Sequence, residues 1–346
     1  MKITSKDGAG GRKMQEFLKD VILDIFGPSS VGCIGLDSLD DGASFGEDYI
    51  ISTDGHTVKP VFFKGGDIGR LAACGTINDV SVMGAKPLLL TSSLIIQSGF
   101  DLEDLRTIMR SMKDACDEVD TSLVAGDTKV VDDNIGIYIS TTGVGERWKG
   151  LDRNMEIVRE TREYEESFVK DGGLMPGDKI ISSGTIGDHG ISIMAQREGI
   201  NLFGDLRSDV CPVWDVTKRA LAEGGVTAMK DPTRGGISAA LNEMAEKSHC
   251  GIVIEEGLIP TKRPIVAAAE MLGINIHDVA NEGKVVIGVR GDLAEDVLEA
   301  IRDSKYATDA SIIGEAIEGK RVFLKTRIGA RRLMNTPDGD PVPRVC

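Results

Sequence analysis

The chain has 346 residues, 41% of them hydrophobic, with 55 acidic side chains against 40 Lys and Arg and a formal net charge of -15. That length suggests two domains, each with enough apolar residues for a core. The charge excludes a nucleic-acid backbone or an anionic membrane surface as the main partner, because either would repel the molecule as a whole.

The opening residues Met1-Lys2-Ile3-Thr4-Ser5-Lys6-Asp7 carry no apolar leader, and no run approaches ~18 apolar residues, which predicts a cytoplasmic protein without a membrane span. Asp7-Gly8-Ala9-Gly10-Gly11 then reads as a flexible loop, either a hinge or a cradle of free N–H groups for phosphate. It runs into a helix with Met14, Phe17, Leu18, Val21, Ile22 and Ile25 on one face, ended by Gly27-Pro28. An acidic turn, Asp40-Asp41-Gly42-Ala43, precedes a strand over 49–53 that delivers Asp54 at its end. Gly65-Gly66-Asp67-Ile68-Gly69-Arg70 leads into a helix over 71–84 that carries Asn78 and Asp79 among small residues, which let a ligand or another backbone approach closely. Strands over 86–97 and 121–125 flank an amphipathic helix with Leu102, Leu105, Ile108, Met109, Met112, Ala115 and Val119 on one side. The second strand is expected to stop at Gly126-Asp127-Thr128-Lys129. Single aspartates dispersed at turns and strand ends suit magnesium, which takes one or two carboxylates together with substrate phosphates.

Residues 146–171 are dense in charge, including Arg153, Glu156, Arg159, Glu160, Arg162 and Glu163, and read as an exposed helical linker. Alternating strands and helices resume at a strand over 179–183, followed by Gly184-Thr185-Ile186-Gly187-Asp188-His189-Gly190, where His189 is a possible acid or base. Met229-Lys230-Asp231-Pro232-Thr233-Arg234-Gly235-Gly236 combines a carboxylate, a hydroxyl, a guanidinium and a flexible backbone ahead of a helix, the groups that hold a metal-bound triphosphate. Asn281-Glu282-Gly283-Lys284 precedes a strand over 285–289. Cysteines stand at 33, 74, 116, 211, 250 and 346 without metal-ligand spacing. The first five read as small core residues, whereas Cys346 ends a proline-rich tail expected to swing free of both cores.

These motifs, with Ser52-Thr53-Asp54, Asn78-Asp79-Val80, Gly126-Asp127-Thr128-Lys129-Val130 and the closing Pro343-Arg344-Val345-Cys346, resemble the HypE family of nickel–iron hydrogenase maturation factors over nearly the whole chain. Lys64 departs from the proline expected before Gly-Gly-Asp, and the charged segment after Gly145 is longer than usual. The resemblance implies an α/β (α+β) two-domain PurM-like ATP-binding fold, shared with aminoimidazole ribonucleotide synthetase and selenophosphate synthetase. On that pattern residues 1–145 form an ATP-binding domain that pairs in a homodimer, 146–171 the linker, 172–325 a C-terminal α/β domain and 326–346 the tail. It further implies ATP and magnesium as cofactors, the carbamoyltransferase HypF as donor of a carbamoyl group to Cys346, and a HypC–HypD complex as acceptor of the cyanide made from it. Asp41, Asp79 and Asp231 would be the first magnesium ligands, with Asp54 and Asp127 beside them. Gly8, Gly10, Gly11, Asp54, Asn78, Thr128, Thr233 and Arg234 would hold the nucleotide. Lys129 would stabilise developing charge, and Glu282 would take protons from nitrogen as ATP-dependent dehydration turns the carbamoyl group into a protein thiocyanate. Two alternatives stand beside this: another synthetase of the superfamily, although no cysteine precedes Cys33 as in selenophosphate synthetase, and a non-enzymatic scaffold whose tail thiol docks a partner.

Overall fold

A computed structural model describes residues 2–200, 206–339, 341–342 and 345–346. Pro343 and Arg344 of the closing motif lie outside the described residues. Among those described, no helix is long and apolar enough to cross a membrane.

The first half builds a six-stranded sheet from β1 (Val31–Gly32), β2 (Ala43–Gly46), β3 (Tyr49–His56), β6 (Ala85–Gln97), β7 (Ser122–Val131) and β8 (Ile137–Arg147), in the order β1-β2-β3-β8-β6-β7. A two-stranded ribbon, β4 (Phe62–Phe63) with β5 (Gly66–Asp67), stands apart. Two helices, α3 (Ile68–Val82) and α4 (Leu102–Asp117), follow the short N-terminal helices α1 (Gly11–Phe17) and α2 (Asp24–Phe26). Asp67 caps α3 by accepting the Gly69 and Arg70 N–H groups, so the predicted glycine-rich lead-in is a helix cap. Small residues then let α3 lie tight against its neighbours: a Cβ on Gly69 would fall 2.1 Å from the Ile108 carbonyl of α4. Almost every α3 side chain is buried.

The second half forms a seven-stranded sheet, in the order β10-β12-β9-β13-β11-β14-β15, from β9 (Lys179–Ser182), β10 (Val226–Lys230), β11 (Gly251–Glu255), β12 (Val286–Val289), β13 (Ser311–Ile317), β14 (Val322–Lys325) and β15 (Arg331–Leu333). Neighbouring residues along its strands belong to different cores. Ile180, Ala228 and Val286 pack with α8 (Gly236–Lys247), whereas Ile181, Met229 and Ile287 pack with α7 (Trp214–Glu223) and α10 (Ala294–Arg302). A strand alternates its side chains between faces, so this sheet is covered on both sides and its strands read as continuous apolar runs. The second of those cores also takes in Ile34, Ile50, Val80 and Met83 of the first half. One apolar layer therefore joins the two sheets.

Three expectations change. The charged segment 146–171 is not a spacer: α5 (Gly150–Arg159) is amphipathic and buries Leu151, Met155 and Val158, and Phe168 and Val169 are wholly buried beyond it. Asn154 exchanges both amide hydrogen bonds with the Val226 backbone at 2.8–2.9 Å, and Tyr164 donates to the Thr227 carbonyl at 3.1 Å. Charge density hid a stripe at i, i+4, i+7. The N-terminal helix, in turn, does not bury one clean face, since Val21 and Ile25 are exposed. A π turn at Leu18–Leu23 interrupts it, and the wider turn rotates later residues off the stripe.

Third, the tail does not hang free. Val342 and Val345 are buried among Phe63, Ile68 and Leu71, and β15 adds residues 331–333 to the second sheet. The Pro337 carbonyl accepts the Arg12 N–H at 3.1 Å, and Asp338 pairs with the Arg12 guanidinium at 2.5 Å. Proline removes donors from a strap but leaves its carbonyls able to dock.

If 146–171 is part of the core, Phe168→Ala removes about 3–5 kcal/mol of stability, the usual loss for a buried aromatic. Chemical denaturation checks this, and a shift below about 1 kcal/mol would mean the segment is a solvated spacer.

Candidate active site

Strand ends, one helix and the tail converge on a cavity of about 430 Å³ where the two halves meet. Strand β3 contributes Ser52, Thr53 and Asp54, α3 contributes Gly75 and Asp79, and the loop before β2 contributes Asp40 and Asp41. From the second half come Lys230 at the end of β10, Asp231, Thr233 and Arg234 in the loop that starts α8, and Glu282 ahead of β12. Gly10, Gly11, Met14 and Leu18 close the mouth, and Cys346 reaches in from the tail. Gly10 and Gly11 have positive φ, and a Cβ on Gly11 would sit 2.2 Å from the Pro337 carbonyl oxygen. Only glycine fits between α1 and the tail there.

The electrostatics are dominated by carboxylates out of water. Loss of solvent, reinforced by the charges of their neighbours, pushes Asp79 and Asp231 well above the usual carboxylate range. Glu282 is raised well above it too, by burial first and then by Asp231 and Asp54. Burial and Asp171 together push Asp40 up to about 7. Against these acids stand Lys230 and Arg234, with Lys19 and Lys247 also lining the cavity. Lys230 lies 2.7 Å from Asp41 and 3.3 Å from both Asp171 and Glu243. Arg234 sits 3.7 Å from Asp54 and donates to the Gly8 carbonyl at 3.3 Å. Ser52 Oγ donates to Asp79 at 2.7 Å.

Even so, one oxygen each of Asp41, Asp231 and Glu282 is buried without a hydrogen-bond partner. Carboxyl oxygens left without partners in a cleft are the donor set of a hard cation. No three acidic, His or Cys side chains among the described residues are yet close enough to hold an ion by themselves. Magnesium, which completes its shell with phosphate oxygens and water, fits this arrangement.

Of the residues expected at the site, Gly10, Gly11, Asp41, Asp54, Asp79, Asp231, Thr233, Arg234, Glu282 and Cys346 line this one cavity. Others do not. Asn78 is a clamp, its amide donating to the Cys211 and Glu282 carbonyls at 3.1 and 3.2 Å and accepting the Val213 N–H at 2.8 Å, and it does not line the cavity. Gly8 meets the site only through its carbonyl on Arg234. Asp127, Thr128 and Lys129 lie away from the cavity in the middle of β7, which runs on to Val131 instead of stopping at Gly126. There Lys129 pairs with Asp127 at 2.5 Å, both exposed, an arrangement worth ~0–1 kcal/mol.

Sequence reasoning missed Lys230, the hub of the acidic cluster, although it directly precedes Asp231 at a strand end. It also missed the scaffolding of Glu282. Asp209 accepts the Glu282 N–H at 3.1 Å and lies 3.2 Å from Lys284, while Asn281 accepts the Gly187 N–H at 2.7 Å. The Gly-Asp-His-Gly and Asn-Glu-Gly-Lys motifs thus brace each other. Only tertiary structure pairs them.

Known proteins match this chain along its length. The N-terminal domain of AIR synthase related proteins matches residues 39–147, and the C-terminal domain of the same proteins matches 175–327. A Methanocaldococcus jannaschii chain described as a hydrogenase expression/formation protein is 47% identical over 352 aligned residues, covering 100% of both chains. The carbamoyl dehydratase HypE of Cupriavidus necator is 38% identical, covering 98% of this chain and 93% of its own. Among solved structures, the HypE–HypF complex includes a chain with a TM-score of 0.83 and 39% identity, covering 92% of this chain and 99% of that one. HypE in complex with ATP matches with a TM-score of 0.79 and 31% identity over 100% of both chains. The chain belongs to the HypE family of hydrogenase maturation proteins, built from the paired AIR synthase related domains.

Proposed function

We propose that this chain is a cytoplasmic, ATP-dependent carbamoyl dehydratase that converts a carbamoyl group on its own Cys346 into a thiocyanate during hydrogenase maturation. The observation that carries the reading is the position of Cys346, the last residue of the chain, in the same cavity as Asp54, Asp79, Asp231, Arg234 and Glu282. The relatives named carbamoyl dehydratase and the HypE structure with ATP support the chemistry, and the HypE–HypF complex supports HypF as the source of the carbamoyl group. Transfer of the cyano group to a HypC–HypD complex follows the same family pattern.

The amide oxygen of the carbamoyl thioester is a poor leaving group until it is phosphorylated. Its oxygen attacks the terminal phosphorus of ATP, ADP departs with the bonding electrons, and the first nitrogen proton passes to solvent. Glu282 then takes the second proton, the C–O bond breaks toward phosphate, and the S-bound carbon is left triply bonded to nitrogen. Asp41, Asp79 and Asp231, with Asp54 beside them, would hold magnesium, which neutralises the phosphate charge that builds in such a transfer. Gly10, Gly11, Thr233 and Arg234, which line the cavity, would hold the nucleotide phosphates. Burial first, and then Asp231 and Asp54, raise Glu282, and a cation on the aspartates would remove the second of these influences.

A homodimer is supported by β7, where nine of ten residues are exposed and Leu123, Val124 and Val130 present apolar surface. A second copy covering that face would place Asp127, Thr128 and Lys129 at the interface, outside this chain's own cavity.

Glu282→Gln keeps the shape and loses the proton acceptor. It is expected to bind ATP and accept carbamoyl on Cys346 while forming thiocyanate ~10²–10⁴-fold more slowly. Single-turnover mass spectrometry reads this, and an unchanged rate would remove Glu282 from the mechanism.

The raised aspartates give a second test. Binding of magnesium nucleotide should release protons from Asp79 and Asp231, measured by calorimetry in two buffers of different ionisation enthalpy. Asp231→Asn should both weaken binding and reduce the release; proton uptake, or an unchanged titration, contradicts the ligand assignment.

A further inference from the structure

His189 lies in the first turn of α6 (Asp188–Arg197), just after the glycine turn, and has no task in the chemistry above. Its ring is wholly buried, with Nδ1 2.7 Å from Ser208 Oγ and Nε2 2.7 Å from the carbonyl oxygen of Val345, the residue before Cys346. A carbonyl can only accept, so the Nε2 position carries the hydrogen. The neutral ring must then accept at Nδ1, and the Ser208 hydroxyl can supply that hydrogen because its oxygen already accepts the Val210 N–H at 3.1 Å. Burial holds the imidazole below its usual range, in keeping with a neutral ring. The Phe63 ring meets it edge-on, centroids 5.5 Å apart, and fixes its plane. A relay of three hydrogen bonds therefore runs from the 208–210 loop through His189 to the chain end. Next along, the Thr57 hydroxyl donates to the Cys346 backbone oxygen at 3.3 Å.

The position of Cys346 gives this relay a purpose. A protein donor cannot enter a cavity of about 430 Å³, so the thiol has to leave to be loaded and return to react. Burial of Val342 and Val345 favours return but has no direction, whereas a hydrogen bond out of water sets where the sulfur stops. We propose that His189 is a positioning residue that latches the tail in the cavity and sets the balance between docked and released Cys346. Its purpose rests on the dehydratase reading; its geometry does not.

The test is alkylation of Cys346 by iodoacetamide in the full-length, unloaded protein, read from the mass of the C-terminal peptide. His189→Ala should label roughly tenfold faster than the unaltered chain, the scale of one lost buried hydrogen bond. Buried Cys74, Cys211 and Cys250 serve as the folding control and should stay unlabelled. His189→Gln, whose amide can donate to the same carbonyl, should restore slow labelling. In His189→Ala, loading by the carbamoyltransferase should proceed at least as fast as before, while single-turnover dehydration slows. Equal labelling of the Ala variant and the unaltered chain, with the buried cysteines protected, overturns the latch. If His189→Ala exposes the buried cysteines, Ser208→Ala decides, and labelling of that variant at the unaltered rate overturns it equally. A chain that never dehydrates its carbamoyl group would refute the function proposed above and leave the labelling result standing.

Discussion

Everything at this site follows from taking several carboxylates out of water at one place. Asp41, Asp79, Asp231 and Glu282 share a cleft whose walls deny them solvent, and Lys230, Arg234, Lys247 and Lys19 line it as the balancing cations. A buried like-charge cluster is expensive unless it is neutralised by protons or by bound cations. The protein spreads the burden over the fold. Lys230 is shared among Asp41, Asp171 and Glu243, and Lys247 adds a second contact to Asp171 at 2.7 Å. Those partners come from the 146–171 segment and from α8, so the segment that looks like a linker is part of the electrostatic support.

The same constraint explains the architecture around the cleft. Acids end up facing one another because loop tips, strand β3 and helix α3 bring them to the junction of two sheets that share an apolar layer. Rigid packing holds the halves in register, so a few loops can set distances finely. Glycine appears where one backbone must press on another, as at Gly11 against Pro337. The tail completes the enclosure. Once Val342 and Val345 are buried, the terminal thiol is delivered by the core as much as by its own loop.

Much of this was legible in the sequence, and the failures have physical reasons. The amphipathic α4 and the helix start after Asp-Pro-Thr-Arg-Gly-Gly are local features, set by spacing and capping. Ten of the expected site residues line one cavity, the turn residues Asp41, Asp231 and Glu282 among them because turns point off a scaffold. Asn78 misled because a polar residue beside Asp79 reads as a ligand, while its true partners, Cys211, Val213 and Glu282, are far away in sequence. Asp127 misled because β7 does not end where its glycine suggests. Tail docking was invisible for a different reason. Two valines are too few to signal a core, and the His189 contact with Val345 spans 156 residues.

The central claim is that Cys346 carries the group whose oxygen is transferred to phosphate within this cleft. Loading Cys346 with a carbamoyl group bearing heavy oxygen, then adding magnesium and ATP, tests it directly. The label should appear in inorganic phosphate, one atom for each cyano group formed on the C-terminal peptide. Label released into water, or phosphate formed without it, would contradict the account.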